Sequence, residues 1–218
     1  MVILTLIAAV AVAAYLMGSL SFAVIVSRVM GLSDPRTYGS GNPGATNVLR
    51  SGSKAAAVVT LLFDAFKGWL PVALVQWLGP RYGLGEGVQA IAGLAAFFGH
   101  LWPVFFRFQG GKGVATALGV LIAFAPWLGA AVLVTWVVVA LTSRYSSLAA
   151  VIAAVLAPVY AGLGDGVWGT APWRWEAQGA KLLEVIVMAL LLLWRHRANI
   201  ARLMAGAESK IGGKKKET

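Results

Sequence analysis

The chain contains no cysteine and only two histidines. The first absence excludes disulfides, thiolate catalysis and cysteine-ligated zinc or iron–sulfur centres. Two histidines alone cannot build a zinc site. Charge is also scarce, at 12% of residues, where a typical soluble domain carries roughly 25%. Acidic charge is scarcest, with 8 Asp and Glu against 18 Lys and Arg and a formal net charge of +10. Apolar residues make up 59%, and the mean hydropathy is +0.79. These values exclude an ordinary soluble domain and point to an all-α, polytopic membrane protein. Basic excess in such a chain indicates anionic lipid and charge-biased topology, not nucleic acid. No basic–aromatic interleaving or nucleic-acid module is recognisable.

A membrane span needs about 20 apolar residues. Met1–Ser27 is uncharged and lacks the cationic start of a secretory signal, so it reads as a retained first span. Further spans are expected at Ala55–Leu78, Gly87–Phe106, Val114–Ala125, Trp127–Thr142, Leu148–Leu163 and Gly179–Trp194. Val114–Thr142 is one long helix or two short ones broken near Pro126, where proline removes a hydrogen bond. Charge favours two. With seven transmembrane helices, the N-terminus outside and the C-terminus cytoplasmic, 14 of the 18 Lys and Arg fall inside. Only Arg81, Arg174 and Lys181 fall outside, and Lys67 lies within a span. Six spans would put the basic C-terminal tail outside, against the positive-inside bias. Trp168, Trp173 and Trp175 suit an interfacial belt on the outer side. Residues 1–204 are expected to form one membrane domain, and 205–218 a polar, Lys-rich, flexible tail that touches anionic lipid.

Three polar runs punctuate the apolar stretches, and the seven-span topology brings all of them to the cytoplasmic face. The first is Gly39-Ser40-Gly41-Asn42-Pro43-Gly44-Ala45-Thr46-Asn47, followed by Arg50. Asn42 is a candidate helix cap with Pro43 at the first helical position, so a helix is expected from near Gly44 through Arg50. Its N-terminus would offer free N–H groups to an anion, and Thr46 and Arg50 would share a face. The second run is Gln109-Gly110-Gly111-Lys112-Gly113. It is not a P-loop, because Gly113 replaces the required Ser or Thr and Phe106 the required glycine. A lysine on a flexible loop that opens a helix remains. The third is Arg195-His196-Arg197 with Asn199, where His196 and Asn199 should lie on one helical face. None of the three contains Asp or Glu. Glycines, hydroxyls, amides and fixed positive charge suit anionic oxygen, above all phosphate. Magnesium and calcium need carboxylate oxygens, so no metal and no cofactor is expected.

Other polar groups read as structural. Asp64 and Lys67, three apart in the second span, suit a buried ion pair. His100 reads as a helix-packing residue. Glu184 has no evident role.

The sequence resembles the bacterial membrane acyl-phosphate:glycerol-3-phosphate acyltransferases of the PlsY type over roughly Ala14 to Met204. The resemblance rests on the first run through Arg50, on Gly99-His100-x-x-Pro103-Val-Phe-Phe, on Gly110-Gly-Lys-Gly-Val-Ala-Thr-Ala117 and on Arg195-His-Arg-x-Asn-Ile200, in that order. It implies a seven-helix protein of the bacterial cytoplasmic membrane with its site facing the cytoplasm. It also implies transfer of a fatty acyl group from acyl-phosphate to the sn-1 hydroxyl of glycerol 3-phosphate, yielding lysophosphatidic acid and phosphate. Ser40, Arg50, Lys112, His196 and Asn199 match the family's catalytic, phosphate-holding set. Gly41, Asn42, Gly44, Thr46, Asn47, Gly110, Gly111 and Gly113 match its loop and donor elements. The implied partners are the two substrates and membrane lipids.

The residues allow more than one chemistry. His196 could act as a general base, but cationic neighbours lower its pKa and a phosphate raises it. Substrate assistance, in which a donor phosphate oxygen takes the hydroxyl proton, is the preferred expectation. Ser40 as a covalent nucleophile is less favoured, since no base–orienter pair is visible beside it. Two non-enzymatic readings compete. A transporter of a phosphorylated solute should hold its anion groups near mid-membrane, and a head-group-binding scaffold would leave the Gly-rich runs unexplained.

Overall fold

A computed structural model of the chain describes residues 1–167 and 179–212. The described residues form ten α-helices and two short 3-10 turns. In order these are α1 (Val2–Gly18), α2 (Phe22–Val29), α3 (Ala45–Leu49), α4 (Lys54–Leu78), α5 (Glu86–Leu101), α6 (Val114–Phe124), α7 (Pro126–Ser143), α8 (Ser146–Val167), α9 (Ala180–Arg195) and α10 (Arg197–Met204). Trp168, Trp173 and Trp175, expected to form an outer belt, lie outside the described residues, as do Arg174 and the lysines at 214–216.

Most helices match the apolar stretches, because in lipid every backbone polar group must be satisfied within its own segment. Four are long and apolar enough to cross a membrane: Lys54–Tyr82, Glu86–Phe106, Pro126–Ser143 and Ser146–Leu163. The pair α1 and α2 is a fifth if counted as one bent span. Helices α6, with 11 residues, and α9, with 16, are shorter. Val114–Thr142 is two helices, parted at Ala125, whose backbone is extended before Pro126 takes the first position of α7.

The stretch expected as the first span is not one continuous helix. It breaks at Ser19–Ser21 and bends by 43°. Two interactions explain the break. Ser19 Oγ bonds back to the Tyr15 carbonyl (2.8 Å), and the Leu20 carbonyl receives Lys67 Nζ from α4 (2.6 Å). A buried ammonium thus takes up a backbone acceptor that a straight helix would have used itself.

Small residues set the helix spacing. A β-carbon at Gly68 or Gly119 would overlap the backbone carbonyls of Thr116 and Ala65, so α4 and α6 pack backbone to backbone. Gly18 and Gly99 do the same for α1 and α5, against Ala96 and Tyr15. Alanines of α8 (Ala150, Ala153, Ala154, Ala157) pack with Val120, Leu121 and Leu128 in the largest core cluster. Large apolar side chains of α4, among them Leu62, Phe63, Phe66 and Trp69, face outward, as lipid contact requires. Asp64 and Lys67 point inward and pair at 2.8 Å, as the sequence suggested.

Candidate active site

The first run folds around one side chain. Asn47 is buried. Its amide nitrogen donates to the carbonyls of Pro35 (2.6 Å) and Tyr38 (3.1 Å), and its Oδ1 accepts from the Ser40 N–H (3.0 Å) and Arg50 Nη1 (3.3 Å). The loop 35–40 is therefore wound onto α3 by an amide whose donors and acceptor are engaged. Gly39 sits at φ +59, and a β-carbon there would run into Asn47 Oδ1, so only glycine lets the chain pass. Upstream, Asp34 clamps the loop entrance. Its carboxylate accepts from the Arg36 guanidinium at 2.6 Å, and this bond holds its pKa below the ordinary carboxylate value.

The expected start of the helix is corrected. Helix α3 begins at Ala45 with Gly44 as its cap residue, and Asn42 is not the cap. Asn42 instead donates its N–H to Ser40 Oγ (3.4 Å). A five-residue helix carries little macrodipole, so a helix-terminus anion site at Asn42–Gly44 is not supported. Arg50 lies just beyond α3, exposed, and donates through Nη2 to Ser209 Oγ (2.7 Å). Ser40 is exposed beside Gly41, and Thr46 is half-buried in α3.

The second run is held from two sides. The Gly111 N–H donates to the His100 carbonyl (3.1 Å). From α9, Arg195 Nη2 donates to the carbonyls of Gly110 (2.8 Å) and Gly111 (2.7 Å), and its Nε also reaches Gly111 (3.1 Å). A β-carbon at Gly111 would meet His100 Nε2 on one side and lie 3.0 Å from the Pro43 carbonyl on the other. The first and second runs are therefore in contact here. Gly113, at φ +85, caps α6. Between these fixed points Lys112 turns into the interior, and its ammonium bonds Asn199 Oδ1.

In the third run α9 ends at Arg195 and α10 starts at Arg197. The two helices meet at His196, so His196 and Asn199 do not sit on one uninterrupted helix as expected. Both are buried. His196 Nδ1 lies 2.8 Å from the Leu192 carbonyl. A carbonyl only accepts, so Nδ1 carries the hydrogen and Nε2 keeps a lone pair in the neutral ring.

A carboxylate enters that the sequence reading missed. Glu208, four residues past α10, accepts from Asn199 Nδ2 (2.6 Å), Ser147 Oγ (2.8 Å) and Arg202 Nε (2.7 Å). The site is therefore not free of carboxylates, and residues 205–212 are docked on the helical body. Ser209 meets Arg50, and the Ile211 N–H donates to the Arg144 carbonyl (2.7 Å). Of the flexible tail expected over 205–218, the first part makes these contacts, and 213–218 lie outside the described residues. The signal that was available is that Glu208 is the first acid after the third run, in a stretch otherwise rich in cations.

Electrostatics follow from this packing. Burial lowers the Lys112 pKa to about 8; Glu208 works the other way, and Arg202, Arg195 and Arg50 add to the lowering. Burial, reinforced by Lys112, lowers His196 to about 4, against the Leu192 carbonyl and Glu208. His196 is thus neutral near pH 7. Burial works to raise the Glu208 pKa, but hydrogen bonds from Asn199, Ser147 and Arg202 outweigh it and hold the group ionised. One carboxylate stands among Arg50, Lys112, Arg195 and Arg202, so the cluster keeps excess positive charge that an incoming anion would neutralise. Among the described residues no group of three or more His, Cys, Asp or Glu could hold a metal ion.

Known proteins fit this arrangement. The family model described as glycerol-3-phosphate acyltransferase matches residues 8–206. The glycerol-3-phosphate acyltransferase of Paraburkholderia phytofirmans is 62% identical over 95% of this chain and 92% of its own length. That of Ralstonia nicotianae is 61% identical over 95% of each. The crystal structure of PlsY (YgiH), an integral membrane glycerol 3-phosphate acyltransferase in its glycerol 3-phosphate form, superposes with a TM-score of 0.81 at 36% identity, over 94% of both chains. Its lysophosphatidic acid form gives 0.80 at 35% identity, again over 94% of both. With its cationic cluster set at the ends of apolar helices, the chain belongs to the glycerol-3-phosphate acyltransferase family and is an integral membrane acyltransferase of the PlsY type.

Proposed function

We propose that the chain transfers a fatty acyl group from an acyl-phosphate to the sn-1 hydroxyl of glycerol 3-phosphate, releasing lysophosphatidic acid and inorganic phosphate. The observation that carries this is the half-buried Lys112 ammonium, tied to Asn199 and surrounded by more cations than anions. Both substrates bring phosphate, and Arg50 and Lys112 supply complementary ways to hold it: a planar fork and a point charge. Residues 1–204 form the catalytic membrane domain. Seven crossings, counting α6 and α9, put the site on the cytoplasmic side of the bacterial inner membrane, with the N-terminus outside.

In the chemical step the glycerol hydroxyl oxygen attacks the acyl carbon, and the bond from that carbon to the phosphate oxygen breaks. The departing phosphate takes the hydroxyl proton. A mixed anhydride is already activated, so orientation and charge stabilisation are what the protein must add. Substrate assistance is favoured because His196, lowered to about 4, is a weak base before substrate binds. Its free Nε2 is suited to accept a hydrogen bond from the hydroxyl and so orient it. Ser40, exposed and without a base at hand, suits phosphate contact better than nucleophilic attack. Asn47 serves the loop, with its polar atoms turned inward. The acyl chain has apolar helix surface close at hand, since α6 begins two residues past Lys112. A transporter reading is disfavoured by the position of the cations at helix ends.

The test is a donor comparison. Purified protein with glycerol 3-phosphate should form lysophosphatidic acid from acyl-phosphate, one phosphate released per product, without added metal and at least tenfold faster than from an acyl thioester. Product from the thioester at the higher rate would reject the acyl-phosphate donor.

A further inference from the structure

Behind the Gly110–Gly111 turn runs a buried polar chain with no direct part in the proposed reaction. Lys67 of α4 donates to the Leu20 carbonyl in the α1–α2 break (2.6 Å) and pairs with Asp64 Oδ1 (2.8 Å). Asp64 Oδ1 lies 3.7 Å from His100 Nδ1 in α5. The hydroxyl of Thr116, in the first turn of α6, is 3.1 Å from the same nitrogen. All four side chains are buried. The other edge of the ring faces the site: a β-carbon on Gly111 would overlap His100 Nε2, and the His100 carbonyl accepts the Gly111 N–H. Lys112 is the next residue.

Ionisable and polar groups at this depth are costly, and an apolar filler would serve mere packing at least as well. What a filler cannot do is fix a ring at one angle. Here Nδ1 is held by a hydroxyl on the helix that Lys112 opens, while Nε2 and the carbonyl abut the preceding glycine. We propose that His100 is a positioning residue: oriented by Thr116, it sets the path of the Gly110–Gly111 turn and so the direction in which Lys112 reaches the substrate phosphate. This rests on the reading of Lys112 as a phosphate-holding group. A displacement of about 1 Å at a reacting group can cost on the order of 100-fold in rate, so a loosened turn has a measurable consequence.

Thr116→Val keeps the shape of the side chain and removes only the hydroxyl on Nδ1. Its kcat/KM for glycerol 3-phosphate should fall by about 10-fold or more, while the protein stays folded in detergent with an unfolding temperature lowered only as far as one lost buried hydrogen bond requires. Thr116→Ser should restore the rate. His100→Asn, which keeps a polar atom toward Thr116 but withdraws the ring from Gly111, should lose at least as much. Full activity in Thr116→Val, failure of Thr116→Ser to restore it, or a loss explained by unfolding of Thr116→Val at the assay temperature would each overturn the positioning role. Lys112→Ala, assayed in parallel, separates the two levels. If it is fully active, the reading of the site fails. If it is inactive while Thr116→Val is unimpaired, the site stands and only the positioning of Lys112 by His100 fails.

Discussion

Lys112 donates from its ammonium to Oδ1 of Asn199, 87 positions further along the chain, and the amide nitrogen of the same Asn199 donates to Glu208. One side chain therefore separates the principal cation of the site from its carboxylate. The arrangement keeps Lys112 charged without quenching it, which is what a group awaiting phosphate requires.

Its titration should be visible in the rate. Lys112 is lowered to about 8, so the ammonium is present below that pH and lost above it. The free-enzyme parameter kcat/KM should fall above pH 8. In kcat the limb should move to higher pH, since bound phosphate favours the charged form. Lys112→Arg, if active, should lack this limb because guanidinium does not titrate there. A pH–rate series on both proteins checks it. His196 is lowered to about 4, so it contributes no enzyme limb between pH 5 and 8.

Glu208 should matter for stability. Its three hydrogen bonds link α8, α10 and the segment after it, and its side chain is only 6% exposed. Glu208→Ala should destabilise by about 2 kcal/mol, the typical worth of hydrogen bonds to a charged group, read as a lowered unfolding temperature in detergent. The folded carboxyl is held below its ordinary pKa. Its stabilisation is therefore present above the ordinary carboxylate value and disappears as pH falls through the folded one. The difference between parent and variant should shrink on acidification.

The buried pair in α4 offers a contrast. Lys67→Met alone leaves the Asp64 carboxylate uncompensated and frees the Leu20 carbonyl, a loss of roughly 3–5 kcal/mol. Lys67→Met with Asp64→Leu removes both charges and should recover most of that loss. Equal unfolding temperatures for the single and double variants would show that the pair is not coupled as its 2.8 Å separation implies.

The absence of native cysteine makes topology directly measurable. Single cysteines at the exposed positions Lys54 and Arg107 should react with an impermeant maleimide only in inside-out vesicles. Cysteines at the exposed positions Arg81 and Tyr82 should react only in right-side-out vesicles. Labelling of Lys54 and Arg107 from opposite sides would break the one-faced site.

Much of this molecule was readable in the sequence because membrane spans announce themselves as long apolar stretches, and Pro126 marks the division of α6 from α7 by removing a backbone donor. The break between α1 and α2 was not readable. One of its two causes is Lys67, 47 positions away from Leu20, and the other, the Ser19 hydroxyl bonding back to Tyr15, does not by itself compel a bend. The polar runs themselves were legible because their residues are contiguous, as in Gly110–Lys112. What each side chain touches was not: Asn47, grouped with the loop and donor elements, turns its polar atoms to the carbonyls of Pro35 and Tyr38, the N–H of Ser40 and the Arg50 guanidinium. Glu208 escaped because it reaches the site through tertiary docking of the segment after α10. A search for carboxylates inside the polar runs cannot find a group that folds back onto them.

The most direct measurement takes one residue from each run. Phosphate release and lysophosphatidic acid formation from acyl-phosphate and glycerol 3-phosphate should be followed for the purified parent, Arg50→Ala, Lys112→Ala and Asn199→Ala. The parent should yield one phosphate per product, and each variant, folded and membrane-inserted, should lose about 100-fold or more in kcat/KM. A variant from any one run with undiminished activity would mean that the three runs do not form a single phosphate pocket.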